Sequence, residues 1–233
     1  MSRGLVELGL ILLAEACLDV SLKALAEIPV GRRDALIFKL REKTFGPRIV
    51  GLSTCPACHE QIELTINVAD ILQESDNNYR KTMTIDHQGY EVAFRLPSSS
   101  DLLIATAGGN LEAAYHCLIE RCVLSAYFCK QRISASDLPV DVIDLMAEMM
   151  GQSDPTADVQ MKITCSFCGH QWDQTFDIIW FFGKEIDSWA HRAMREVNDL
   201  ARAYGWSEAE ILSLSPLRRQ HYLEIINSER ANL

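Results

Sequence analysis

Two pairs of thiols carry the most definite chemistry in this chain. Cys55 and Cys58 stand two residues apart in "STCPACHEQIELTINV", and Cys165 and Cys168 repeat the spacing in "MKITCSFCGHQWDQTFDII". Four thiolates from two facing turns make the closed, tetrahedral site of a structural Zn²⁺, so Cys55, Cys58, Cys165 and Cys168 are the expected ligands of one ion. Each pair is bracketed by period-two alternation, the mark of a half-buried strand. Ile62, Leu64, Ile66 and Val68 follow the first pair; Val159, Met161 and Ile163 precede the second, and Trp172, Phe176 and Ile178 follow it. Gln61 with Gln171 and Thr65 with Thr175 recur at one offset, a weak internal repeat of a strand, knuckle, strand unit. Gly169, just after the second pair, suits a turn that needs positive φ.

The pairs are separated by 106 residues. Loop closure grows only with the logarithm of length, so the excess over a usual zinc-ribbon spacing costs about 2 kcal/mol. Structural zinc contributes on the order of 10 kcal/mol, which makes the long insertion tolerable. A thioredoxin-like redox pair is the competing use of C-x-x-C, but it belongs at a helix N-terminus, and both pairs here run into strands. His59 and His170 lie close enough to substitute as ligands; with four thiols present they read as solvent-side neighbours. Cys117, Cys122 and Cys129 fall in the apolar stretch "EAAYHCLIERCVLSAYFCK" and, with Cys17, read as core residues.

Positioning these knuckles requires a largely helical frame. The expected fold is α+β, mainly helical: a split zinc ribbon with short strands at 47–69 and 158–180, an inserted hairpin and helices at 70–157, an N-terminal helical region at 1–46 and C-terminal helices at 181–233. Near the N-terminus, Leu8, Ile11, Leu12 and Leu18 sit at helical spacing, and Glu7 and Glu15 break the resemblance to a signal peptide. "VGRRDALIFKLREKTFGPR" offers a stripe of Leu36, Ile37, Leu40 and Phe45, stopped by Gly46-Pro47. "MTIDHQGYEVAFRLP" reads as a hairpin about an Asp86 to Gly89 turn, followed by helices near 99–107, 110–130 and 138–150, with Asp154-Pro155 as a break. After the second knuckle, Ile186, Trp189, Ala190, Met194, Val197, Leu200, Ala201 and Tyr204 line one helix face. Ser207 with Glu210 then forms a capping box, and Ser215-Pro216 starts the last helix.

Composition narrows the function classes. The 233 residues are 48% hydrophobic, enough for a sizeable core, and contain no apolar run long enough to span a bilayer. A formal charge of −10 argues against a nucleic-acid-coating protein. Phosphate-loop, dinucleotide, nucleophile-elbow and H-E-x-x-H motifs are missing, and "HEQIE" at His59 lacks the second histidine. A four-thiolate zinc has no open coordination position, so no enzyme activity is expected.

Taken together, "VGRRDALIFKLREKTFGP", "CPAC", "CSFCGHQW", "FDIIWFFGKEID" and "VNDLARAYGWSEAEILSLSPLRRQHYLEII" resemble the bacterial proteins grouped with the T-even phage baseplate hub assembly chaperones. The resemblance spans nearly the whole chain, strongest at 30–60 and 160–226 and weak through 70–135. It implies a non-enzymatic assembly factor, or a minor component, of a phage-tail-like contractile injection system. Such a protein would bind baseplate hub or spike proteins in the bacterial cytoplasm or stay in the particle, with no small-molecule substrate and no membrane. The basic helix with Arg32, Arg33, Lys39, Arg41 and Lys43 and the terminal helix with Arg218, Arg219, Tyr222 and Leu223 are the candidate contact surfaces; an ordinary solvated face is the alternative for each. Two rival functions are a zinc-ribbon regulator that binds nucleic acid through its C-terminal helices, and a thiol oxidoreductase.

Overall fold

The computed structural model describes residues 3–72, 82–108 and 110–231, with side chains through 228. Part of the expected insertion, 73–81, and the last two residues of the expected C-terminal region lie outside the described residues. The fold is α+β, with helices dominant and, among the described residues, three small antiparallel sheets. The chain forms two compact units, Met1–Trp180 and Phe181–Leu233.

The first unit opens with three helices, α1 (Arg3–Ala16), α2 (Leu22–Ala26) and α3 (Val30–Phe45). The apolar stripe of α1 is Val6, Gly9, Leu10 and Leu13, at spacings of three and four. This corrects the expected stripe: Ile11 is 55% exposed, and Leu18 lies beyond the helix at 86%. Leu8 and Leu12 flank the buried stripe and are half-covered. A Cβ on Gly9 would stand 2.7 Å from Ile179, so glycine permits the close approach. In α3, Ile37 and Phe38 are fully buried, and Gly46 ends the helix at φ 89° with its N–H on Glu42 O.

The charges of α3 depart from the sequence reading. Arg33 and Arg41 are 0% and 3% exposed, so two of the five basic residues expected on a contact surface point inward; Arg32, Lys39 and Lys43 remain outside. Arg33 Nε donates to Asp34 at 2.7 Å and Nη1 to Ser99 Oγ at 3.0 Å. Arg41 donates to the carbonyls of Gly46 (2.7 Å) and Arg48 (2.9 Å), satisfying the chain where the helix ends. The physical reason is register: residues 33, 37 and 41 are four apart and share the stripe of buried Ile37. Burying a charge is tolerated here because each guanidinium is hydrogen-bonded.

Strands β1 (Arg48–Thr54) and β2 (Gln61–Asn67) pair antiparallel and run into the short α4 (Val68–Leu72). The expected hairpin forms as β3 (Met83–His87) and β4 (Tyr90–Phe94), with Gln88 and Gly89 at φ 50° and 85°, the two positive values of a tight hairpin turn. Helix α5 (Ser99–Ala105) starts on a Ser98–Asp101 capping box. The helix expected over 110–130 stops early: α6 is Leu111–Cys122, and Val123–Phe128 forms β5, paired with β4. Val123 is β-branched, and the Phe128 ring lies 4.5 Å from Tyr90 across the strands, so sheet packing overrides the helical continuation. Cys129 and Lys130 turn the chain at φ 48° and 67° into β6 (Gln131–Arg132), completing the order β3-β4-β5-β6. Cys122 is therefore a core residue, whereas Cys129 is exposed, contrary to the expectation for it.

Helix α7 (Val140–Ser153) packs Val142, Ile143 and Met146 onto Ile85, Val92 and Phe94 of this sheet. The chain then breaks at Asp154-Pro155 and forms β7 (Val159–Thr164) and β8 (Gln171–Phe176). Asp154 accepts the N–H of Gly31 at 2.8 Å, returning the chain to the head of α3.

Helix α8 (Ile178–Tyr204) starts in the first unit and continues into the second. There Gly205 at φ 69° ends it, and α9 (Glu208–Ser213) and α10 (Pro216–Ala231) follow. The Ser207–Glu210 capping box and the Ser215-Pro216 start form as expected. Leu200, Ile211 and Ile226 make the core, joined by Trp206, Tyr222 and Leu223. The second expected contact surface is corrected accordingly. Arg219, 9% exposed, donates to Glu196 and to Leu214 O, Tyr222 lies edge-on to Tyr204 and Trp206, and Leu223 packs on the core, leaving Arg218 outside.

Candidate metal centre

The two strand pairs deliver the four cysteines from equivalent positions. Cys55 lies just past β1 and Cys165 just past β7. In each turn the first cysteine's N–H donates across the hairpin, to Glu60 O (3.0 Å) or His170 O (2.8 Å). Its carbonyl then accepts the N–H of the residue after the second cysteine, His59 or Gly169, both at 3.0 Å. That closing residue has φ 61° at His59 and 74° at Gly169. The backbone of the repeat thus matches, and glycine relieves the left-handed conformation in one copy only.

The sulfurs meet across the hairpins. Cys55 Sγ lies 3.7 Å from Cys168 Sγ and Cys58 Sγ 3.6 Å from Cys165 Sγ, and all four lie within 4.8 Å of one another. These separations are far longer than a disulfide bond, and all four thiols are free. An ion about 2.3 Å from four sulfurs at tetrahedral corners requires sulfur separations of about 3.8 Å, so the cluster fits a thiolate-bound metal ion. Cys55 and Cys165 are buried, Cys58 is half-buried, and Cys168 is at the surface.

The thiols are electrostatically unlike. Burial opposes ionisation of Cys165, but the N–H groups of Cys168 and Phe167, each 3.4 Å from its sulfur, hold it down at about 6. The amide at Glu60 favours the Cys58 thiolate, yet desolvation and the neighbouring sulfurs push that thiol up to about 12. Four sulfurs at this spacing repel as anions; a bound cation inverts that balance and keeps coordinating thiols deprotonated.

Ser53 and Gln174, which the sequence reading passed over, support the pair of hairpins together with Ile62 and Trp172, which it named. Ser53 Oγ donates to Gln174 Oε1, and Trp172 Nε1 donates to the same oxygen at 3.4 Å. Ile62 and Trp172, at corresponding places in the repeat, pack on Cys55 and Cys165. Ser53 and Gln174 carry no motif; the period-two alternation alone marks the faces they share. His59 and His170 are exposed and outside the four-sulfur cluster, and His170 stacks on Trp172 at 6.0 Å.

Among the described residues, no helix is long and apolar enough to cross a membrane. Comparison with curated proteins and with solved structures returns no match. A family model described as T4 bacteriophage base plate protein matches residues 9–183, a stretch that contains both hairpins and stops short of most of the second unit. With three quarters of its length matched, the chain belongs to the T4 bacteriophage base plate protein family.

Proposed function

We propose that this chain is a non-enzymatic assembly factor or minor component of a contractile, phage-tail-like baseplate, and that it binds hub or spike proteins. The observation that carries this reading is the family match over 9–183. Cys55, Cys58, Cys165 and Cys168 are the proposed ligands of one Zn²⁺, which supplies cross-linking charge at a closed site and no reactive coordination position. The protein's own part is to orient the sulfurs through the two turns and to shield Cys55 and Cys165 under Ile62 and Trp172. On this reading the domain pattern is a split ribbon at 47–69 and 158–180, with 70–157 inserted and helices at both ends. The site of action is the bacterial cytoplasm, with the particle as a second location.

The exposed features available to a partner are Phe167, 66% exposed at the tip of the second hairpin, and the outward Arg32, Lys39 and Lys43 of α3. The test is capture of hub and spike proteins by the tagged full chain in cells that make the particle, together with the protein inventory of purified particles. Retention of hub or spike is the expected outcome. Failure to retain either, with the chain also missing from particles, overturns the reading. A salt-dependent shift of duplex DNA would instead favour the nucleic-acid regulator, against which the −10 charge speaks.

A further inference from the structure

A cavity of about 530 Å³ opens beside β7, and Val159, Gln160 and Met161 all line it. Successive strand residues point to opposite faces, so a cavity touched by three in a row, and by no residue of β8, runs along the edge of the strand. Among the described residues β7 pairs with β8 alone, so its other edge is free. Cys165 N–H donates to His170 O, and carrying the antiparallel alternation back two residues at a time turns Ile163, Met161 and Val159 toward β8. The N–H and C=O of Gln160 and Lys162 therefore point outward, and among the described residues neither has a backbone partner.

The rest of the lining is apolar and acidic. Ile71, Leu96 and Met150 are joined by Asp70, Asp154 and Asp158, and no Lys or Arg of the described residues lines the cavity. Asp154 is engaged by Gly31 N–H, and Asp158 accepts Gln160 Nε2 at 2.7 Å, but among the described residues none of the three carboxylates is ion-paired. Lys162 is exposed and lies along the strand beyond the lined stretch.

We propose that this edge receives an extended segment of a partner protein, which adds a strand beside β7 and carries Lys or Arg alternating with apolar residues. The alternation follows from β7 itself. Gln160 and the Asp158 carboxylate it holds lie on one face, where a basic side chain is favoured; Val159 and Met161 face the other way, where an apolar one is. The outward backbone groups select a peptide over a small cation, since only a strand meets N–H and C=O in register. Three residues of edge span about 10 Å, so the contact is short and readily reversible. This inference stands apart from the metal site, and it holds whether or not a baseplate protein supplies the segment.

Selection of a random short-peptide library on the full chain tests it, followed by titration of the most enriched peptide and residue-resolved amide exchange of the chain with and without it. Enriched peptides should alternate Lys or Arg with apolar residues. The amides of Gln160 and Lys162 should exchange freely in the chain alone and slow on binding. Gln160→Pro removes an outward donor and no bond to β8, so it should abolish binding, whereas Gln160→Ala, which keeps that donor, should bind within about twofold of wild type. Asp70→Lys and Asp158→Lys, both at exposed positions, should each weaken binding about fivefold by replacing attraction with repulsion. No enrichment, enriched peptides that lack basic residues, amides at 160 and 162 already protected in the free chain, or binding unchanged by Gln160→Pro and by both Lys variants overturns the proposal.

Discussion

The cysteine cluster and the polar cluster at the head of α3 join the same two stretches of chain by unlike chemistry. Cys58 meets Cys165 across 107 positions, and Gly31 donates to Asp154 across 123. Around Gly31 the partners are complete: Arg33 binds Asp34 and Ser99, while Asp101 takes Arg95 at 2.6 and 2.9 Å, Arg121 at 2.8 Å and the N–H of Ser98. Among the described residues no buried side-chain nitrogen or oxygen lacks a partner. The four thiols do not satisfy one another in this way; their arrangement is stable as a set of anions only around a cation. One tie is therefore built into the chain, and the other, on the proposed reading of the four cysteines as metal ligands, is conditional on an ion.

The largest effect should come from taking the ion away. Chelation, or Cys165→Ser, is expected to cost several kcal/mol, on the order of the coupling between metal binding and folding in small zinc domains. Hydrogen exchange should show β1, β2, β7 and β8 losing protection while β3, β4 and β5, with their own core under α7, keep it. Uniform loss would break the contrast between a conditional and a built-in tie. Next comes Asp101→Asn, which strands Arg95 and Arg121 and should cost about 3–5 kcal/mol by denaturant titration. Burial pushes Asp101 up, but Arg95 and Ser98 outweigh it and hold the carboxyl at about 2. Its contribution is therefore complete above the usual carboxylate value near 4 and lost as pH falls through about 2, so the variant should flatten that acid limb.

Gly31→Ala probes the same cluster with a smaller change. The added Cβ would collide with the Asp154 carboxylate and stand 2.7 Å from the backbone N of Ala157. About 2 kcal/mol of thermal stability should be lost, with metal content unchanged. The smallest effects distinguish the two knuckles: Gly169→Ala should destabilise by about 1 kcal/mol and His59→Gly should stabilise by up to about 1 kcal/mol, because both positions hold positive φ. Equal responses in both turns would show that their closing residues are not equivalent.

The conditional tie was more legible in the sequence than the built-in one. Four cysteines at repeated spacing, strands alternating around them and a repeat offset pointed to the cluster, because its geometry is local to each turn. The capping box at Ser207 and the hairpin from Met83 were readable for the same reason. The polar cluster was not, because exposure of a charged helix depends on which face packs. Arg33, Ile37 and Arg41 share one stripe, and that four-residue spacing was the available signal against reading them as a surface. The end of α6 at Cys122 was hidden too, since its carbonyl is taken by Arg95 N–H from the end of β4, a contact between residues far apart in sequence. At α1 the period was right and the phase wrong: Gly9 packs inward although it carries no apolar side chain.

Native mass spectrometry of the full chain, purified without added metal, tests the conditional tie most directly. The account predicts one Zn²⁺ per chain, lost together with protection of the four hairpin strands on chelation and absent from Cys165→Ser. A chain that is folded, metal-free and alkylated at Cys55, Cys58, Cys165 and Cys168 under native conditions would contradict it.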